Sequence, residues 1–537
     1  MKRLFSLILA LLLVSSFIMG GCINPDPVDK PYPPSKKDTL TIYNYGDPYT
    51  LNPVLINDII SASYAIQIFS GLMAYNNQGQ LVGDLASSWE VSSDGLLYTF
   101  RLHRNIYFHD GNRMLPEDIK FSWTYALFPA TGSHMAYSYL GNIVGSDEVY
   151  WGITNDLVGV TIIDAYTLQV RVKEASSYFL AGLAYPCTFV VSAKQMVEQG
   201  VHWLEKPVGT GPYRIVEKYW GSYFLLERFD DYYGAKASIK YIKFITEIGR
   251  RSVEMFQNGE VDIARFSSLY LDMVMDSYGT LRNQVHSFEQ LQVSYLAFCI
   301  DKAPFDDPLV RQAFCQAIDI EKLAATVFRG DGTAATGLVP HGIFGYNGAS
   351  IPYAFDPQAA LSLIAKSRYG SVANLPTIYL TIIGRDPVVA DAVLAIADQW
   401  QTNLGVKVEI LVMENSDFYQ NLSKINANVI LFGWMADYAH PQNFLDVLLS
   451  SGGAMNLGNY QNSSYDALIN QANKTLDLNQ AYALYREAEA LALTDCAVMP
   501  LLFGHTTLLV SNDLLGLEVG FFGIPVLNTV YFRETTS

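Results

Sequence analysis

The chain runs to 537 residues, half of them hydrophobic and only 16% charged, with a formal net charge of −17. That length exceeds one ordinary core and predicts two or three lobes, while the hydrophobic share excludes a disordered chain. Nucleic acid is excluded as a partner, because phosphate contacts need clustered Lys and Arg and no such cluster exists past residue 40.

In chain order, the first element is MKRLFSLILALLLVSSFIMGGC, in which Lys2 and Arg3 precede an apolar stretch from Leu4 to Met19. The stretch is short for a membrane span and has the layout of an export signal. Gly20 and Gly21 just before Cys22 resemble a bacterial lipoprotein signal, in which Cys22 becomes the lipidated first residue of the mature chain. Met19 departs from the Leu usual at its place, and the alternative is a simple cleaved signal that leaves Cys22 in a tail. INPDPVDKPYPPSKKD follows, with five prolines in sixteen residues. Such a segment builds no helix or sheet interior and reads as an extended tether, reaching roughly 50 Å at about 3.1 Å per residue.

Beyond the tether, LYTFRLHR (97–104) and LQVRV (168–172) alternate as strands. RRSVEMFQNGEVDI (250–263) reads as a helix stopped by Asn258 and Gly259, with EVDI opening a strand. GDGTAA (330–335) fits GxGxxA in letters only, since it follows a helical stretch and not a strand, so it has no dinucleotide meaning. In PVVADAVLAIADQWQTNLGVKVEILV (387–412), Val389, Val393, Ala397, Trp400 and Leu404 recur at helical spacing. Gly405 stops that helix, and Val406, Val408, Ile410 and Val412 alternate as a strand. NVILFGWMADYAHP (428–441) then reads as a buried strand over 428–433, a tryptophan, and a lone carboxylate, Asp437, where the chain must turn. Helices alternating with strands imply α/β lobes with largely buried sheets.

No catalytic arrangement stands out: there is no GxSxG elbow and no GxxxxGK[ST] loop, and Asp306/Asp307 and Asp230/Asp231 read as solvated turn residues. His103, His109 and Asp110 lack metal-ligand spacing, so no metal site and no cofactor is expected. Cys187, Cys299, Cys315 and Cys496 lack redox or zinc spacing. One or two disulfides are open, with buried thiols preferred.

Residues 71–123, GLMAYNNQGQLVGDLASSWEVSSDGLLYTFRLHRNIYFHDGNRMLPEDIKFSW, resemble the signature region of the family 5 extracellular solute-binding proteins that serve peptide and nickel ABC importers. Further landmarks follow in family order: VGTGPYRI (208–215), FDDYYG (229–234), NGEVDI (258–263), APFDDPLVRQAFCQAID (303–319), GWMADYAHPQNF (433–444) and NSSYDALINQA (462–472). The resemblance covers essentially the whole mature chain. Several landmarks have a scaffold reading as well. HDG (109–111) supplies a turn with Gly at a positive φ, Pro116-Glu117-Asp118 suits a first helical turn, and GTGPY (209–213) a tight loop that lets backbones approach.

The resemblance implies a two-lobed, periplasmic-binding-protein-like α/β fold of type II with crossing strands and an interlobe ligand cleft. Its expected divisions are a signal peptide over 1–21 and a lipidated Cys with tether over 22–38. Lobe I would comprise 39–68, 190–290 and 506–537, its extra subdomain 69–189, and lobe II 291–505. The GTGPY loop and YNYGDPYTLNP (43–53), with Tyr45, would line one side of the cleft. Asp437 matches the aspartate that pairs with a ligand's α-ammonium in peptide-binding members; a local Asx turn is the structural alternative. Trp434 either packs the strand end or faces ligand, and Tyr438 is a further candidate ligand contact. Arg385 resembles, by context and spacing, the carboxylate-binding arginine of dipeptide-specific members, while Asp386 and Asp391 offer it ordinary salt bridges.

The implied function is therefore that of a lipid-anchored, monomeric, extracytoplasmic receptor that hands short peptides to ABC permease subunits and catalyses nothing. Nickel chelates, haem, oligosaccharides and signalling peptides are the alternatives within the family. Adhesion or sensing is the alternative of another class.

Overall fold

A computed structural model of the chain describes residues 38–44, 46–76, 78–266, 270–275, 281–384, 387–414, 427–520 and 522–533. Cys22, Tyr45, Arg385 and Asp386 lie outside them, as do the signal and the tether up to residue 37.

Among the described residues eleven strands form one continuous sheet. In chain order they are β1 (Thr39–Tyr43), β2 (Tyr213–Tyr219), β3 (Tyr223–Arg228), β4 (Tyr241–Ile245), β5 (Ile263–Arg265), β6 (Val285–Phe298), β7 (Gly332–Ala334), β8 (Ile378–Ile383), β9 (Val408–Met413), β10 (Val429–Met435) and β11 (Val498–Val510). Their spatial order is β9-β8-β10-β6-β11-β5-β1-β4-β3-β2, with β7 on β11. The two long strands, β6 and β11, lie side by side at the centre and span both lobes. β10 attaches to β6 at Gln292–Phe298, and β5 attaches to β11 at Leu508–Val510. Between those attachments the β6–β11 register shifts, from Glu289 opposite His505 to Val293 opposite Phe503. A bulge bends a ladder, so it falls where one lobe gives way to the other.

Each lobe has its own core. In the first, Leu40, Ile42, Tyr64, Phe224 and Phe244 pack together. In the second, Trp400, Phe314, Leu380 and Val429 form one cluster and Phe444, Tyr465 and Tyr485 another. The extra subdomain carries a four-stranded antiparallel sheet of Ala86–Val91, Leu97–Leu102, Thr167–Arg171 and Val160–Asp164. Its separate core is built around Phe100, Trp123 and Leu168.

Local sequence explains most elements. α1 (Pro116–Leu127) begins with Pro at its first position and Glu117 and Asp118 in its first turn, and Asp118 accepts the Leu115 N–H at 2.9 Å. α2 (Pro308–Gln316) is capped by Asp307, which accepts the Leu309 N–H at 3.0 Å and the Arg368 N–H at 3.0 Å. Asp307 is therefore a buried cap and not a solvated turn residue. α3 (Pro387–Leu404) ends at Gly405, whose φ of +77° is the left-handed stop. Val393, Ala397, Trp400 and Leu404 face the core. The strand after it starts at Val408 and not Val406, because two residues are spent leaving the Gly405 turn. Likewise EVDI is not itself the strand: Asp262 uses its carboxylate to accept the Thr41 N–H at 2.9 Å, and pairing begins at Ile263. α4 (Gln442–Leu449), α5 (Ser463–Lys474) and α6 (Leu478–Thr494) complete the second lobe. Among the described residues no helix is long and apolar enough to cross a membrane.

Candidate functional site

In open α/β sheets ligands bind beyond the carboxyl ends of the parallel strands. β1 runs parallel to β4 and β5, and β8 parallel to β9 and β10. The last residue of β10, Met435, stands opposite Gln292, and the last residue of β5, Arg265, opposite Leu508. Both positions border the β6–β11 bulge, so the carboxyl ends of the two parallel sets converge on it from opposite lobes. Tyr45, Arg385 and Asp437 each follow the end of a parallel strand by two residues: 43 to 45, 383 to 385 and 435 to 437. Only Asp437 of the three is among the described residues.

β10 pairs with β8 at Val429 and Ile430 alone. From Leu431 to Met435 its edge has no strand partner on that side among the described residues. Gly433 is exposed on this stretch. An unpaired edge presents backbone donors and acceptors in a row, which an extended ligand can use.

Asn443, buried in the first turn of α4, organises the end of this strand. Its Oδ1 accepts the Asp437 N–H at 2.9 Å and the Trp434 indole N–H at 3.2 Å, and its Nδ2 donates to Asp437 Oδ2 at 3.3 Å. Trp434 is thereby fixed at the strand end, partly exposed and packed against the second lobe's core. Asp437 does not close an Asx turn on its own backbone. Burial pushes its carboxyl up from the ordinary carboxylate value, and Asn443 and Tyr139 pull it part of the way back. No Lys, Arg or His among the described residues forms an ion pair with it.

The far wall comes from the extra subdomain. The buried Tyr139 hydroxyl lacks a hydrogen bond of good geometry but stands near the Asp437 carboxylate. Tyr139, Tyr185 and Cys187 all have their pKa raised first by burial and then by the charge of Asp437. Tyr438 leaves the second lobe to join the subdomain's core, edge-on to Tyr139 at 5.9 Å and stacked on Tyr178 at 6.2 Å. Next along, the Ala439 N–H donates to the Tyr75 hydroxyl at 3.1 Å. A cleft of about 470 Å³ opens between the subdomain and the second lobe beside Tyr139, Tyr178 and Tyr438. A smaller one of about 230 Å³ lies in the first lobe at the strand ends, beside Tyr43, Asn44 and Arg265.

The GTGPY loop differs from expectation, for it is buried and does not line an open cleft. A Cβ on Gly209 would stand 1.9 Å from the Ile68 carbonyl oxygen, and one on Gly211 2.5 Å from that of Gln67. His109, from the HDG turn, clips the loop: its N–H donates to the Gly209 carbonyl at 2.9 Å, Nδ1 accepts the Gly209 N–H at 3.3 Å, and Nε2 bonds the Gly211 carbonyl at 2.9 Å. Two sequence landmarks are thus one joint between the subdomain and the first lobe. Sequence reasoning missed Tyr139, Tyr185, Cys187 and Asn443. Only Asn443 carried a local signal, at a helix start just after Asp437.

Comparison with known proteins gives a coherent picture. The model of the bacterial extracellular solute-binding proteins, family 5, matches residues 80–456. The oligopeptide-binding protein OppA of Bacillus subtilis is 26% identical over 518 residues, covering 93% of this chain and 92% of the relative. The heme-binding protein A of Haemophilus influenzae is 26% identical over 541 residues, covering 93% of each. Among solved structures, the unliganded open form of the periplasmic murein tripeptide-binding protein MppA superposes with a TM-score of 0.82 at 23% identity, covering 94% of this chain and 98% of that one. The last likeness bears on the fold, which is the two-lobed one described above.

Proposed function

The chain belongs to the bacterial extracellular solute-binding proteins, family 5, and on that premise we propose that it captures short peptides outside the cytoplasm and delivers them to the transmembrane subunits of an ABC importer. The observation that carries the reading is Asp437: a largely buried carboxylate with no cation among the described residues, two residues past a strand whose edge is unpaired. A peptide laid along β10 would place its backbone on that edge and its α-ammonium on Asp437. In a partly dried cleft such a pair is far stronger than in water. The peptide-binding relative is consistent with this ligand class.

In this reading Arg385, at the equivalent place after β8, takes the ligand's carboxylate, and Tyr45, after β1, lines the first lobe's side. Trp434 and Tyr438 hold Asp437 in position. Lobe I comprises 39–68, 190–290 and 506–537, with 69–189 as its extra subdomain and 291–505 as lobe II, so that the β6–β11 bulge is the hinge. Residues 1–21 are the export signal, Cys22 carries the lipid, and 22–38 tether a monomeric receptor to the outer face of the cell membrane.

The haem-binding relative, equally similar, makes haem the competing ligand. Native mass spectrometry of the exported protein, purified without denaturation, separates the two. Added masses spread over di- to pentapeptides are the expected outcome; a single mass matching a porphyrin, or a sugar or metal chelate, overturns the peptide reading. With a bound peptide in hand, Asp437→Ala is expected to weaken a free-amine peptide at least tenfold while leaving its N-acetylated form little changed. Equal losses for both would show that Asp437 does not hold the ammonium.

A further inference from the structure

Two of the buried cysteines are neighbours. Cys315 lies in the last turn of α2 and Cys496 two residues before β11, and both belong to the core of the second lobe at 1% and 0% exposure. Both are free thiols, Cys496 stands close enough to Cys315 to add to the rise that burial gives its pKa, and the Tyr353 hydroxyl lies beside Cys315. The spacing is held from outside the pair. Arg311, one turn earlier on α2, donates from Nε to the Asp495 carbonyl at 2.9 Å and from Nη1 to the Phe305 carbonyl at 2.8 Å, which fastens the helix to the turn carrying Cys496. That turn is unusual in itself: Cys496 has a φ of +48°, a left-handed conformation that residues other than Gly rarely adopt and that surroundings must enforce. Cys187 and Cys299 sit in other cores, of the subdomain and of the opposite face of β10, and neither core holds a second cysteine among the described residues.

We propose that Cys315 and Cys496 are a disulfide-forming pair, cross-linked when the protein folds outside the cytoplasm. Export of a family 5 solute-binding protein delivers it to a compartment where disulfides form and persist. The oxidant is a protein or small-molecule disulfide of that compartment. One cysteine thiolate attacks it to give a mixed disulfide and release one oxidant thiol. The second cysteine thiolate then displaces the other oxidant sulfur. In sum, two thiol hydrogens and two electrons pass to the oxidant, whose disulfide becomes two thiols, and one Sγ–Sγ bond forms. Timing follows from burial: in the closed core the Cys315 thiol is pushed well above its ordinary pKa and no reagent reaches either sulfur, so exchange precedes closure of the lobe.

The test uses the full chain exported to an oxidising compartment and denatured in guanidinium with a maleimide, without reductant. Peptide mapping is expected to recover Cys187 and Cys299 alkylated and Cys315 joined to Cys496 in one cross-linked peptide. Prior reduction in denaturant is expected to make all four reactive. Alkylation of all four without reductant, or a cross-link between any other two, overturns the proposal. Since the readout is taken on the unaltered chain, it stands apart from the ligand question and from any variant's ability to fold.

Discussion

Glu489, on α6, is fully buried, and its carboxylate accepts four hydrogen bonds: Oε1 from the Leu338 N–H at 2.8 Å and the Val339 N–H at 2.9 Å, Oε2 from the Ala349 N–H at 2.8 Å and the Tyr346 hydroxyl at 2.7 Å. Gly337 and Gly348 permit the approach, since a Cβ on either would stand 2.9 or 3.1 Å from the carboxylate oxygens. Removing the acceptor strands four donors at once, and each buried unsatisfied donor costs about 1–3 kcal/mol. Glu489→Ala is therefore expected to lower stability by about 3 kcal/mol or more in urea denaturation, with amide exchange accelerated over residues 336–350; a loss under about 1 kcal/mol would refute this role. Asp437 is the contrasting case. One amide reaches its Oδ2, at 3.3 Å, and burial has raised its pKa without an ion pair to offset the cost. Burial raises the Glu489 carboxyl too, so what separates the two is the donor set: full at Glu489, which fits a structural role, and short at Asp437, which leaves room for the proposed ligand ammonium.

At the scale of elements, the unpaired edge of β10 carries an independent consequence. Gly433 is exposed there, and an added Cβ would meet only Ser294 Oγ, at 3.9 Å. Valine suits a strand better than glycine, so Gly433→Val is expected to leave the melting temperature unchanged or slightly raised. The same branched side chain would stand where a peptide lies against the strand, and calorimetry should show affinity weakened at least tenfold, about 1.4 kcal/mol. Unchanged affinity would place the ligand elsewhere.

How much of this was legible depends on the range of the forces involved. The α3 boundaries match the sequence reading, Pro387 to Leu404, because proline and the Gly405 stop act within a turn. β9 begins late because its start answers to pairing with β8, which periodicity does not report. Asp437 was marked by its motif and by its place after an apolar strand. Tyr139, Tyr185 and Cys187 belong to a different folding unit, brought to the carboxylate only by packing of the subdomain on the second lobe, so nothing near them in the chain announces it.

At the scale of the whole molecule, buried titratable groups sit at the joints between units, and their signs oppose. Burial lowers His109, in the subdomain's joint with the first lobe, to about 4, and lowers His440, among the rings of Tyr178, Tyr482 and Tyr485, to about 3. Both titrate near 6.5 when unfolded. The unfolded chain therefore binds protons that the native chain refuses as pH falls below about 6.5, and the histidines' contribution is lost toward pH 4. Asp84 and Asp118 are raised by burial to about 6, so the native chain binds protons that the unfolded one refuses between about 3.8 and 6. Their contribution is fullest in acid and is lost as pH rises through 6. Groups of both kinds overlap in one window, with burial also lowering His505 and raising Asp437 and Glu489, so the slopes offset one another and the native state is expected to lose little stability between about pH 6.5 and 5.

His440→Phe tests this balance: Nε2 is buried without a partner among the described residues and a phenyl ring suits an aromatic surround, while Nδ1 accepts the Gln442 N–H at 3.2 Å, a bond the variant loses at every pH. At about pH 7.5, where the histidine is neutral in both states, the variant should be less stable than the parent by the cost of the stranded Gln442 N–H, about 1–3 kcal/mol. Below about pH 6 the variant lacks the protonation that favours unfolding, so its stability relative to the parent should climb by about 1.4 kcal/mol per unit of pH. Urea denaturation at several pH values between about 4.5 and 7.5 measures that divergence directly. Parallel curves would mean that His440 titrates in the native state as it does unfolded, and that the joint it occupies is wetter than its 2% exposure implies.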